Sequence, residues 1–118
     1  MKTWHRFRCA ARGLLYTFCQ ERNGRIELVC AALVVIFGWW LEVSLNEWAI
    51  LAVATGAVIA AECLNTAVER LADRVSMERE ESIRLVKDVA AGAVLAASLG
   101  AALAALAVFG PKLLGLFR

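Results

Sequence analysis

From residue 89 to residue 110 the chain carries no charged side chain, and Pro111 and Lys112 close the run. A helix crosses a bilayer core with about 20 consecutive apolar residues, so this one stretch points to a membrane span. Mean hydropathy of +0.65 agrees, as does a composition of 61% hydrophobic and 20% charged residues over 118 positions. A soluble domain of this length would leave most of that apolar surface in water, and a disordered chain would hold far less of it. The net charge of +2 is too small for a nucleic-acid binder. Cys9, Cys19, Cys30 and Cys63 form no CxxC pair and read as reduced, packed thiols rather than a disulfide framework.

Two further stretches are shorter. Residues 28–41 lack charge but become long enough to span only when extended through Glu42 to residue 45, with Trp39 and Trp40 as interfacial aromatics. Residues 48–61 are apolar and continue in helical pattern into Glu62, Asn65 and Glu69. The reading is an all-α membrane protein forming a single domain over 1–118, with transmembrane helices at 28–45, 47–72 and 87–110. Lys2, Arg6, Arg8, Arg12, Arg22 and Arg25 precede the first span, and Arg70, Arg74, Arg79, Arg84 and Lys87 lie between the second and third. The 42–47 turn has no basic residue. Positive residues favour the cytoplasmic side, which places the N-terminus and the 73–87 loop in the cytoplasm, with the 42–47 turn and the C-terminus outside.

Residues 1–22 lack the apolar core of a signal peptide. Trp4, Phe7, Ala11, Leu14, Leu15 and Phe18 instead share one helical face, with Lys2, His5, Arg6 and Arg12 opposite. That pattern fits an amphipathic helix on the inner leaflet; packing against the chain's own bundle is the alternative. Small residues recur every fourth position in the second span (Ala52, Gly56, Ala60) and the third (Gly92, Ala96, Gly100, Ala104, with Ala93, Ala97, Ala101 and Ala105 alongside). Such stripes let helix backbones approach closely in lipid, and an oligomer is expected because three helices offer little interior for polar groups.

The chemistry is concentrated in residues 62–73. At about 100° per residue, Glu62, Glu69 and Asp73 fall within about 40° of one another, with Asn65 beside them, along about 16 Å of helix. A carboxylate at membrane depth is costly and points to function, which singles out Glu62. Asp73 and Glu69 taken alone also fit a solvated helix end, with Arg70 and Arg74 as ion-pair neighbours. Lys87-Asp88 and residues 21–27 would sit at the same membrane face. Acids, a lysine and arginines gathered there suit Mg²⁺ carried on a phosphorylated ligand, because Mg²⁺ takes one or two carboxylates plus substrate phosphates. There is no GxxxxGK[ST] loop, no GxGxxG and no HExxH.

Residues 62–73 resemble the signature of the small prokaryotic diacylglycerol kinase and undecaprenol kinase family: Glu, any residue, aliphatic, Asn, Ser or Thr, Ala, aliphatic, Glu, then Asp four residues on. Glu62, Asn65, Thr66, Ala67, Val68, Glu69 and Asp73 match in register. Lys87-Asp88 follows at the family's distance, and Glu21, Arg25 and Glu27 match its upstream segment. The spelling of residues 21–25 and 87–94 is closer to the undecaprenol kinase branch. The resemblance implies transfer of the γ-phosphoryl group of ATP to a membrane-lipid hydroxyl, in a homotrimer with active sites between protomers. It implies Glu62 as general base with Asn65 orienting groups around it, and Glu21 and Glu69 as Mg²⁺ ligands. Lys87 would contact the phosphates, with Asp73, Asp88 and Glu78 among the nucleotide-binding residues. Glu80 stands where members often carry histidine, which puts the adenine contacts on that side in question.

The acceptor is read as undecaprenol, giving undecaprenyl phosphate, with diacylglycerol and phosphatidic acid as the alternative. A proton-coupled exporter using Glu62 as carrier is the competing reading of another class. It leaves the crowding of Glu21, Glu69, Asp73 and Lys87-Asp88 at one mouth unexplained. A non-catalytic helical subunit leaves Glu62 itself unexplained.

Overall fold

The computed structural model describes residues 2–75 and 80–117. They form four helices and no strand: α1 (Thr3–Gln20), α2 (Arg22–Trp40), α3 (Leu45–Val75) and α4 (Glu81–Leu116). Among these, α2, α3 and α4 are each long and apolar enough to cross a membrane, and the chain is an all-α membrane protein. The molecule measures 57 × 39 × 20 Å. With packed helices about 8–10 Å apart, a 20 Å thickness is only about two layers, so almost every helix keeps an outward face.

A single residue separates α1 from α2. Glu21 is extended (φ −103°, ψ 132°), its N–H donates to the Thr17 carbonyl at 3.3 Å, and its own carbonyl accepts from Arg25 N–H at 3.1 Å. Thr17 and Gly24 are both buried where the helices diverge. A Cβ on Gly24 would overlap the Thr17 carbonyl oxygen and lie 2.7 Å from its carbon. The close approach therefore requires glycine.

The second corner comes earlier than the sequence pattern indicates: α2 ends at Trp40 and α3 starts at Leu45, inside the stretch expected to complete the first span. Val43 N–H bonds Gly38 O at 3.1 Å and Glu42 N–H bonds Trp39 O at 3.3 Å, the paired bonds of a Schellman ending. Glu42 takes the left-handed position (φ 54°) that glycine usually fills. A capping box opens α3 immediately afterwards: Ser44 Oγ accepts from Glu47 N–H at 3.2 Å, and Glu47 Oε1 accepts from Ser44 N–H at 2.8 Å. Lys112 Nζ reaches the same Oε1 at 3.3 Å and ties α4 to the corner. Val43 packs with Leu51 and Val108, flanked by Trp48 and Phe109.

α3 and α4 pack most extensively. Of the small-residue lines on α4, Ala97, Ala101 and Ala105 are half-buried, whereas Gly92, Ala96 and Gly100 are exposed, as are Ala52, Gly56 and Ala60 on α3. Pro111 does not end α4, which runs on to Leu116. The proline removes only one helical bond, to the carbonyl four residues back, and membrane helices tolerate such losses where other groups re-satisfy the backbone. The cysteines are free, as expected, but Cys9, Cys19 and Cys30 are exposed rather than packed. On a plate this thin, helix positions that read as interior face outward.

Gly24→Ala should destabilise the fold by about 1–3 kcal/mol through overpacking. Gly13→Ala, whose Cβ would meet nothing within 4 Å, should keep or raise the melting temperature followed by circular dichroism in micelles. At the other corner, Ser44→Ala should cost about 1 kcal/mol. Glu42→Gly should raise the melting temperature by relieving a left-handed residue worth about 1–2 kcal/mol.

Candidate active site

At about 1.5 Å per residue, α3 is longer than a bilayer core is thick, so its last turns emerge with their polar residues. Its buried positions are Leu51, Val58, Glu62, Asn65, Thr66 and Ala72. The spacing marks one inward stripe, apolar at Leu51 and Val58 and then abruptly polar. Glu62 is 3% exposed and Asn65 9%. These two occupy places that helix packing alone would fill with leucine or alanine.

The carboxylates of Glu27 on α2, Glu69 on α3 and Glu21 at the α1–α2 joint all lie close enough to Glu62 to interact with it electrostatically. Glu69 is exposed one turn beyond Asn65, and Glu21 and Glu27 are half-buried. Asn65 borders an apolar groove of about 480 Å³ between α3 and α4, lined also by Ala61, Leu64, Val68 and Ala93. Its Oδ1 is buried and has no hydrogen-bond partner among the described residues. An unmet buried acceptor costs about 1–3 kcal/mol, so this atom is suited to a donor from outside the chain.

Toward the end of α3 the charges pair across elements. Lys87 Nζ of α4 donates to Asp73 Oδ1 at 2.6 Å, with both side chains about 40% exposed (38% and 41%). Asp88 is exposed beside Lys87. Arg70 does not pair along its own helix with Glu69 or Asp73, as neighbour spacing suggested. Its Nη2 donates to Glu21 Oε1 at 2.6 Å, across 49 residues of sequence, while its Cζ lies 5.6 Å from the centre of the Tyr16 ring. Nothing in local spacing signals that pairing. Glu78 lies outside the described residues.

No three His, Cys, Asp or Glu side chains among the described residues stand close enough to hold a metal by themselves. Carboxylates near one another without a full cage suit a hard cation that brings its remaining ligands on phosphates, the usual situation of Mg²⁺. Carboxylates of this kind fit a nucleotide-borne Mg²⁺.

Comparison with known proteins agrees with this geometry. Residues 8–109 match the family model for prokaryotic diacylglycerol kinase. The chain is 35% identical over 104 residues to the undecaprenol kinase of Bacillus subtilis, covering 88% of this chain and 85% of that protein. It is 35% identical over 111 residues to the diacylglycerol kinase of Synechocystis, covering 93% of this chain and 63% of that one. The diacylglycerol kinase of Escherichia coli K12 is 33% identical over 86 residues, 73% of this chain and 70% of that protein. With a polar stripe inside an apolar helix and a family match over nearly its whole length, the chain belongs to the prokaryotic diacylglycerol kinase family.

Proposed function

We propose that this lipid kinase transfers the γ-phosphoryl group of MgATP to the primary hydroxyl of undecaprenol, giving undecaprenyl phosphate and ADP, at the cytoplasmic face of a bacterial inner membrane. The observation that carries the reading is Glu62, 3% exposed on a helix apolar enough to span. A carboxylate there serves an acceptor that arrives through the lipid. Glu62 takes the proton from the acceptor hydroxyl as its oxygen bonds to the γ-phosphorus and the bond to the bridging oxygen of ADP breaks. Asn65, with its unmet Oδ1, orients the hydroxyl. Phosphoryl transfer depends on positioning and charge neutralisation more than on covalent help. Lys87, already aligned by Asp73, contacts the phosphates, while Asp73, Asp88 and Glu78 serve the rest of the nucleotide. Glu21 and Glu69 would hold Mg²⁺, which when bound neutralises phosphate charge.

The N-terminus and the α3–α4 connection lie in the cytoplasm on this reading, α1 rests on the inner leaflet, and three copies assemble with active sites between them. The exposed glycine and alanine lines on α3 and α4 support close helix contact between copies. The choice of undecaprenol follows the spelling of residues 21–25 and 87–94 and the fuller coverage of the Bacillus relative. Diacylglycerol is the second reading, favoured by the equal identity over 111 residues to the Synechocystis enzyme.

Turnover with MgATP in micelles, offering undecaprenol and diacylglycerol in parallel, should show transfer chiefly to undecaprenol; the reverse preference overturns the acceptor assignment. Glu62→Gln should lower kcat at least about 100-fold with ATP binding largely kept. Glu69→Gln should raise the half-saturating Mg²⁺ concentration about tenfold. Normal rates in both variants would refute the roles given to these acids. Lys87→Met should reduce kcat/KM for MgATP about 10- to 100-fold, as expected for loss of a charge-assisted bond to phosphate.

A further inference from the structure

Glu21 is the one residue between α1 and α2, so its carboxylate hangs from a joint rather than from a packed helix face. It is also one of the acids that press electrostatically on Glu62, and mutual repulsion would turn its flexible side chain away from the others. We propose that Arg70 is the positioning residue for Glu21, holding its carboxylate in the orientation that receives the divalent cation. This rests on the reading of Glu21 as a cation ligand.

The arrangement has the parts such a role needs. Arg70 comes from α3, next in sequence to Glu69, the second proposed ligand. Its Nη2 bonds Glu21 Oε1 at 2.6 Å, a contact to one oxygen that leaves the other outside Arg70's grip. The guanidinium is itself steadied on the Tyr16 ring, 5.6 Å from the centroid, within cation–π range. Tyr16 and Glu21 flank the end of α1, so one α3 side chain grips the joint on both sides.

A simple staple between helices is the weaker explanation. With the Arg70 side chain 60% exposed, the pair contributes little to stability, as exposed ion pairs generally do. The joint is already fixed by the Thr17–Gly24 contact and by Arg25 Nη1 donating to Cys19 O at 3.3 Å. What remains for Arg70 is the direction of the Glu21 carboxylate, and groups that orient a metal ligand typically change affinity about 10- to 100-fold when removed.

The test is Mn²⁺ binding to the full-length protein in micelles with a non-hydrolysable ATP analogue, followed by electron paramagnetic resonance, alongside thermal unfolding. Arg70→Gln and Glu21→Gln should each weaken Mn²⁺ binding about tenfold or more, and the double variant should be no weaker than Glu21→Gln. Arg70→Lys, which keeps the charge but loses the planar fork, should recover part of the affinity. It also serves as the comparison if Arg70→Gln folds poorly. A lowered melting temperature with unchanged Mn²⁺ affinity in the Arg70 variants overturns the proposal while leaving Glu21 as a ligand, as does full additivity in the double variant. Unchanged affinity in Glu21→Gln overturns the ligand reading and this proposal together.

Discussion

Placing a carboxylate on the inward face of an apolar helix is the constraint on which the rest of the molecule depends. Glu62 has to remain hydratable or partnered from within a bundle only about two helices thick, since a bare charge in hydrocarbon is costly. α3 meets this by length. Its 31 residues carry the stripe from the apolar contacts of Leu51 and Val58 through Glu62 and Asn65 to the charged turns at its end. The acids of α2 and of the α1–α2 joint are brought to the same level by the helix order.

The two ends of the bundle are fastened differently. At the Glu47 end, a Schellman ending runs directly into a capping box, and Lys112 adds an ion pair to the capping glutamate. Every group there serves local backbone or packing. At the Asp73 end the ion pairs join different elements, α4 to α3 through Lys87–Asp73 and the α1–α2 joint to α3 through Arg70–Glu21. These partly exposed pairs contribute modest stability, and their charges are of the kinds that phosphates and a divalent cation also engage. Backbone capping is concentrated at one end and charge pairing between elements at the other.

Much of this was legible in the sequence because membrane helices declare themselves by runs of uncharged residues, and because the 62–73 pattern is dense in chemically distinctive side chains. The burial of Glu62 and Asn65 follows directly from their spacing. Helix ends were harder. Nothing in a hydropathy pattern distinguishes Leu41 from Trp40; the corner is set by hydrogen bonds of Glu42, Val43 and Ser44, and Pro111 stops a soluble helix more readily than a membrane one. The Arg70–Glu21 pair is invisible to charge spacing, which reports neighbours on one helix, whereas this partner is set by how the α1–α2 joint meets α3. The exposure of Cys9, Cys19 and Cys30 has a related cause: in a thin bundle an apolar position is as often a lipid-facing one as a core one.

No side chain among the described residues is completely buried. Such a chain has no interior solvent of its own; the medium around it does most of the work that a core does in a water-soluble enzyme. Its unfolding free energy is therefore not a constant of the polypeptide. It belongs jointly to the protein and to whatever amphiphile or neighbouring copy covers the helices, and changes with acyl-chain length and protein concentration even when every internal contact is the same.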